Sequence, residues 1–356
     1  MTNWLAISAV ALNMNMAAAD PEASVRFFST GSPWNVPISS ASTYVLTEPK
    51  IATLAVGLST WPDSSDFALP IYESSISDPL HPVLYAETWQ NLYDQKWKTS
   101  GNDRATESAI LAKSKPTFPS PGNTYSSQSP TAYVLPPYYD KLMNPTKPPA
   151  RFHLPANAVP APGNDAPIAV VQPDGRVLEA YGAIRLSTGE LVALRYQLSD
   201  GRGDGTGYAN GTTASMLPVY AGVIRDQELS SGKIDHAMKI AVPRGALVTK
   251  FVYPALTMDR NAATSGTPYS GKLPMGSRLA SPRSVALASL GLKTPVGQMI
   301  GTAAQLYGFI ICDAGGGGIT IQIERRAKTG GVDQWDNDLR ADLRAIMKQV
   351  QTVTIR

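Results

Sequence analysis

Four residues in the second half of the chain carry the side-chain types that acid–base work on a polar substrate needs. Asp165 and Glu179 supply carboxyls, His236 an imidazole that titrates near neutrality, and Arg195 a fixed positive charge. Glu179 lies in Val177-Leu178-Glu179-Ala180-Tyr181. Strand alternation there puts Val177, Glu179 and Tyr181 on one face and Leu178 and Ala180 on the other. A polar residue on a core-forming strand either points outward or must be paired, and the solvent face is the commoner fate of a single strand glutamate. His236 opens Ala237-Met238-Lys239-Ile240, an entry into a strand, where an imidazole can move protons or simply bond a backbone carbonyl. The expectation is one shared cleft holding Asp165, Glu179 and His236 as catalytic groups, with Arg195, Tyr181, Tyr196, Trp34 and Trp335 binding substrate. Trp335-Asp336-Asn337-Asp338 fits sugar stacking. It fits N-capping of the final helix better, because acidic groups at a helix start satisfy free N–H donors.

Metal chemistry finds little support. With three histidines and one cysteine no zinc spacing can be assembled locally, so no metal ligands are assigned. The loop Asp200-Gly201-Arg202-Gly203-Asp204-Gly205 could wrap a calcium ion through Asp200 and Asp204. Two carboxylates are too few for the usual oxygen shell, and an exposed, mobile connection is the expected reading. Cys312, in the apolar run Phe309-Ile310-Ile311-Cys312, reads as a buried, inert thiol. Gly315 to Gly318 lack the Lys and Ser/Thr of a phosphate loop and read as a hairpin turn.

The elements that must position these residues are short. From Pro167 onward, apolar runs alternate with turn chemistry. Ile168 to Gln172 meets Pro173-Asp174-Gly175, then Val177 to Tyr181; Ser187-Thr188-Gly189-Glu190 precedes Leu191 to Tyr196. Further strands are predicted at 239–242, 247–253, 308–312 and 319–324, and helices at 284–290, 296–306 and 338–350. The fold class this implies is mostly β: an antiparallel β-sandwich or jelly-roll-like body with a few short helices, Val170, Leu178, Leu194, Ile240, Val252 and Ile310 lying in its core. The organisation expected is a possible signal peptide or N-terminal segment over 1–19, a loop-rich aromatic region over 20–162, and the body with its C-terminal helix over 163–356. Residues 29–162 repeatedly forbid helix with dipeptides such as Trp61-Pro62 and Asp78-Pro79, yet hold too many aromatics for a disordered linker.

Hydrophobic residues make up 43% and charged residues 17% of the 356, which fits a chain with a real core. The 31 basic and 28 acidic side chains are spread without blocks, which argues against nucleic acid or an anionic membrane as partner. No stretch is long and apolar enough for membrane insertion. The run Trp4 to Leu12, followed by Ala17-Ala18-Ala19, resembles an export signal without the usual basic start.

Several segments in order resemble a largely uncharacterised group of predicted-secreted bacterial proteins often joined to carbohydrate-binding or adhesive modules. The carrying stretches are Pro33-Trp34-Asn35-Val36-Pro37-Ile38 and Leu154-Pro155-Ala156-Asn157 through Gly163-Asn164-Asp165. Gly232-Lys233-Ile234-Asp235-His236-Ala237 and Ala303-Ala304-Gln305-Leu306-Tyr307-Gly308 follow. Similar proteins usually carry a His soon after the Asp matching Asp165, where this chain has Pro167, and an aromatic-rich segment where it has Ala180-Tyr181-Gly182. The resemblance implies a secreted, polysaccharide-associated setting. The function expected is a carbohydrate-active enzyme, a glycoside hydrolase or polysaccharide lyase acting on an extracellular polysaccharide without a cofactor. The alternative is a non-catalytic glycan-binding, adhesin or attachment protein.

Overall fold

Turn chemistry organises the middle of the chain. Gly175, at φ 85°, closes the Pro173-Asp174-Gly175 turn, and Asp174 Oδ1 accepts the Arg176 N–H at 3.0 Å. This turn joins β6 (Ile168–Val171) to β7 (Arg176–Arg185), and a second one, with Gly189 at φ 101°, joins β7 to β8 (Leu191–Asp200). The three form the expected antiparallel meander, with Val170 opposite Leu178 and Tyr181 opposite Arg195. A computed structural model of the chain describes residues 26–45, 50–59, 68–94, 104–115, 151–162, 165–206, 211–325 and 337–354. The possible signal segment over 1–19 and Trp335 lie outside the described residues.

The chain is mostly strand, arranged as two curled sheets with few helices. The meander is the centre of a six-stranded sheet whose other members come from earlier in the chain: β3 (Ile71–Glu73) beside β6, and β4 (Leu80–Tyr85) then β5 (Arg151–His153) beyond β8. The second sheet has seven strands. Its centre is β13 (Phe309–Gly315), β9 (Met238–Pro243) and β14 (Gly318–Ile321), with β2 (Ala55–Leu58) on one side. On the other side lie β12 (Arg278–Ala280), β15 (Gln351–Thr354) and β1 (Thr43–Val45). A short parallel pair, β10 (Leu247–Phe251) and β11 (Leu273–Met275), completes the described strands. Five strands of the loop-rich region thus enter the two sheets, which its Pro-rich sequence conceals.

The sheets are mixed, not antiparallel throughout. β9 runs parallel to β13, β2 to β14, β3 to β6 and β4 to β8. The glycines at 315–318 do not close a hairpin, because β9 lies between β13 and β14 and pairs with both, so the chain crosses the end of β9. Glycine is needed there for reach: a Cβ on Gly318 would lie 2.6 Å from the Ala55 carbonyl oxygen.

Three layers of core follow from strand alternation. Ile240, Val242, Ile311, Ile319 and Ile321 face helices α5 (Pro295–Leu306) and α6 (Asn337–Met347), which among the described residues follow four short ones at Lys50–Thr53, Trp89–Leu92, Glu107–Lys113 and Asp226–Ser231 (α4). Asp342 of α6 is buried and caps α5, accepting the N–H groups of Lys293 and Thr294 at 2.9 and 2.8 Å and the Thr294 hydroxyl at 2.7 Å. Ala169 and Val177 meet Ile310 and Cys312 between the sheets, together with Phe28, Trp34 and Tyr220. Leu178, Ala180 and Ala193 fill the far side of the six-stranded sheet. Of the expected core residues, Val170, Leu178, Ile240 and Ile310 are buried, while Leu194 is half-buried. Val252 is exposed because β10 ends at Phe251 and the chain turns at Val252-Tyr253-Pro254.

The segment 200–206 also departs from expectation. Phe28 and Ser29 donate backbone N–H groups to the Gly201 and Gly203 carbonyls, and Trp34 Nε1 donates to the Gly205 carbonyl at 2.8 Å. The N-terminal aromatics therefore bury Gly201, Gly205 and Thr206, while Asp200, Arg202 and Asp204 are exposed; of the loop expected over 199–211, residues 207–210 lie outside the described residues.

Candidate functional site

A cavity of about 820 Å³ opens between the two sheets, within the size range of small-molecule sites. Tyr181 and Arg195 of the six-stranded sheet line one side, Lys239, Ala241 and Asp313 of the seven-stranded sheet another, and segments 212–219 and 257–263 complete it.

Asp313 owes its place to a one-residue irregularity. Ile310 pairs with Lys239 and Ile311 with Ile240, but Ala241 pairs with Asp313, leaving Cys312 as an extra residue in β13. Ile311 packs on the helix side while Ile310 and Cys312 pack between the sheets. Regular alternation would therefore send residue 313 toward the helices. The bulge turns Asp313 back into the cavity, the re-aiming for which such insertions are known. Burial there pushes the Asp313 carboxyl up to about 7, helped by the charges of Asp259 and Asp165 and opposed by Lys239.

Two further carboxyls line the same space, each held by a tyrosine. Asp165 is placed by backbone: its carbonyl accepts the N–H of Gly182 at 2.8 Å, and the Ala166 carbonyl accepts that of Ala183. Gly182 sits at φ 58°, and a Cβ there would lie 2.5 Å from Leu194 Cδ1, so only glycine lets β7 dock this segment. The Tyr181 hydroxyl then donates to Asp165 Oδ1 at 3.0 Å, braced by Trp89, whose ring meets the tyrosine edge-on at 5.7 Å. Burial and the neighbouring aspartates push the Tyr181 hydroxyl well above its ordinary range. Asp259 accepts the Tyr269 hydroxyl and Arg244 Nη1, the latter at 3.3 Å, and the Arg244 guanidinium lies 4.6 Å from the Tyr269 ring centre.

Glu179 lies behind the wall. It is fully buried, and its carboxylate accepts the backbone N–H groups of Thr212 at 3.1 Å and Val219 at 2.5 Å. Burial raises it to about 7 against those two hydrogen bonds and the charges of Arg195 and Lys239. Glu179 thus pins the cavity's 212–219 wall and does not itself line the cavity.

The expected trio is not brought together. His236 is buried against the first turn of α4, its Nε2 3.0 Å from Glu228 Oε2 and its Nδ1 2.9 Å from the Ala237 carbonyl oxygen. It is not a lining residue. Burial alone would lower its pKa, but Glu228 and the Ala237 carbonyl hold it above the ordinary histidine value. Glu228 also accepts the Arg225 N–H at 2.8 Å, so the pair closes the start of α4. Of the expected substrate contacts, Tyr181 and Arg195 line the cavity. Tyr196 points to the opposite face of β8, into the core behind, and Trp34 is buried between the sheets. Asp200 and Asp204 turn back on their own loop, accepting the N–H groups of Arg202 and Thr206 at 2.9 and 3.0 Å. Among the described residues no three His, Cys, Asp or Glu side chains are grouped to hold a metal ion. Pro167 is itself on the cavity wall.

Sequence reasoning missed Asp313, Asp259 and Lys239. The available signal was a charged residue directly ending the apolar run at Cys312, and a lysine inside an otherwise apolar strand. No protein-family model, curated protein or solved structure matches this chain.

Proposed function

We propose that this chain is a carbohydrate-active enzyme, a hydrolase that cleaves an extracellular polysaccharide with paired carboxyls. The observation that carries the reading is Asp313, a half-buried acid aimed by a bulge into a large cavity it shares with Asp165 and Asp259. With its pKa raised to about 7, Asp313 still holds a proton near neutrality and serves as general acid toward the leaving oxygen. Asp259 or Asp165 serves as the partner that activates water or attacks the sugar carbon, the division of labour two-carboxylate glycosidases use. Tyr181 and Arg195 orient the sugar, and Glu179 holds the wall.

Hydrolysis is favoured over lyase chemistry by the state of the candidate bases. A lyase needs a tyrosine or histidine that can take a proton. Tyr181 instead donates its own to Asp165, and His236 is occupied by Glu228 outside the cavity. The polysaccharide and the secreted setting rest on the resemblance alone.

The deciding experiment presents the purified full chain with a panel of neutral and uronic-acid polysaccharides, following reducing ends and the ultraviolet absorbance of unsaturated uronates. Reducing ends released by the wild type and lost in Asp313→Asn support hydrolysis. Unsaturated product would replace it with lyase chemistry, and glycan binding without turnover would leave the glycan-binding alternative.

A further inference from the structure

Lys239 is a buried lysine inside an apolar strand, and the hydrolytic reading gives it no task. Its neighbours Met238, Ile240 and Val242 belong to the helix-side core, so Lys239 and Ala241 take the opposite face, where both line the cavity. Lys239 is 3% exposed, and Nζ donates one hydrogen bond, to the Val219 carbonyl at 2.8 Å. Among the described residues no ion pair includes it. An ammonium buried without a carboxylate in direct contact is costly, and the usual resolution is loss of the proton. Burial does lower its pKa below the ordinary lysine range, against the opposing charges of Asp313 and Glu179. Deprotonated, the amine would keep a donor for Val219 and carry a lone pair on a side chain that lines the cavity.

We propose that Lys239 is a carbonyl-capturing amine, condensing through Nζ with a neutral aldehyde or ketone that enters between the sheets to form an imine, with Asp313 delivering the protons. The Nζ lone pair attacks the carbonyl carbon; the C–N bond forms as the C=O π pair moves to oxygen, which takes the proton of Asp313. The nitrogen returns a proton to the Asp313 carboxylate, and Asp313 then protonates the hydroxyl, which leaves as water while the C=N bond closes and the last nitrogen proton returns to the Asp313 carboxylate. Amine plus carbonyl gives imine plus water, with no change of oxidation state. Asp313 is well placed for this, being the cross-strand partner of Ala241, two residues along β9 from Lys239. The alternative use of a buried cation, holding an anion, is disfavoured because Asp165 and Asp259 line the same cavity and repel negative charge. The inference goes beyond the hydrolytic reading and does not depend on it.

The test incubates the full chain near neutral pH with glyceraldehyde, or in a separate arm with pyruvate, in the presence of cyanoborohydride, which reduces any imine to a stable amine. Peptide mapping by mass spectrometry reads the label at every lysine. The expected result is Lys239 labelled by glyceraldehyde at least roughly tenfold faster than surface lysines, which stay protonated near neutrality, and more slowly by the anionic pyruvate. Lys239→Met should lose that label alone, and Asp313→Asn should slow it by roughly tenfold. Labelling spread evenly over the lysines, or sparing Lys239, would overturn the proposal. So would a preference for pyruvate, which would identify an anion site. The wild-type map decides the matter even where Lys239→Met fails to fold.

Discussion

Replacing Asp313 by asparagine should make the protein more stable and less active at the same time. The folded chain holds the Asp313 proton up to about pH 7, whereas an exposed aspartate releases it at 3.8. At 1.36 kcal/mol per pH unit that gap corresponds to about 4 kcal/mol. The sign follows from linkage: the folded state binds the proton more tightly, so the contribution is intact below about pH 3.8 and is lost as pH rises toward about 7. Asparagine keeps the shape and carries no charge to desolvate. Relative to wild type the variant should therefore gain up to about 4 kcal/mol between acid and mildly alkaline pH, read by urea unfolding at a series of pH values. Its turnover on the polysaccharide found by screening should fall by about 10²–10⁴, the usual worth of a general acid. A stability difference that does not change with pH would refute the argument that burial raises this carboxyl. Unchanged turnover would remove Asp313 from the chemistry.

Three other outcomes follow from the same geometry. Glu179→Gln retains one acceptor for the two N–H groups of Thr212 and Val219, so it should cost roughly 1–3 kcal/mol in urea unfolding and raise KM more than it lowers kcat. His236→Gln should leave turnover unchanged. Because the imidazole is held above its ordinary 6.5, its stabilisation is present below about 6.5 and is lost as pH rises through the folded value, so the variant's deficit should be larger near pH 6 than near pH 9. Asp342→Ala strands three donors at the start of α5 and should lower stability by about 3–5 kcal/mol, seen as a fall in Tm without effect on the cavity chemistry.

What the sequence disclosed was local. The β6–β7–β8 meander was legible because alternation and the Asp174-Gly175 and Gly189 turns point the same way, and α5 and α6 because their apolar spacing is regular. Parallel pairings such as β9 with β13 and β2 with β14 leave no local trace, since their partners lie far apart in sequence. The site was legible in the same measure. Asp165, Tyr181 and Arg195 were found because they sit on or beside the meander. Asp259 was not, since it comes from a loop whose only mark is its later embrace by Tyr269 and Arg244. His236 misled because an imidazole at a strand entry reads alike whether it serves chemistry or closes a short helix.

The extra residue in β13 means that the acid at 313 is specified by count as much as by identity. Every substitution table treats Asp313 as one letter in one column, yet the letter matters only while an odd residue precedes it in the strand. A relative lacking that insertion could keep an aspartate at the aligned position and present it to the helices, with no acid in the cavity at all. Conversely, a chain with the aspartate one place away and no insertion would present the same carboxyl to the same space. Searches for kindred sites are therefore better framed as a question of phase along the strand than of residue matching.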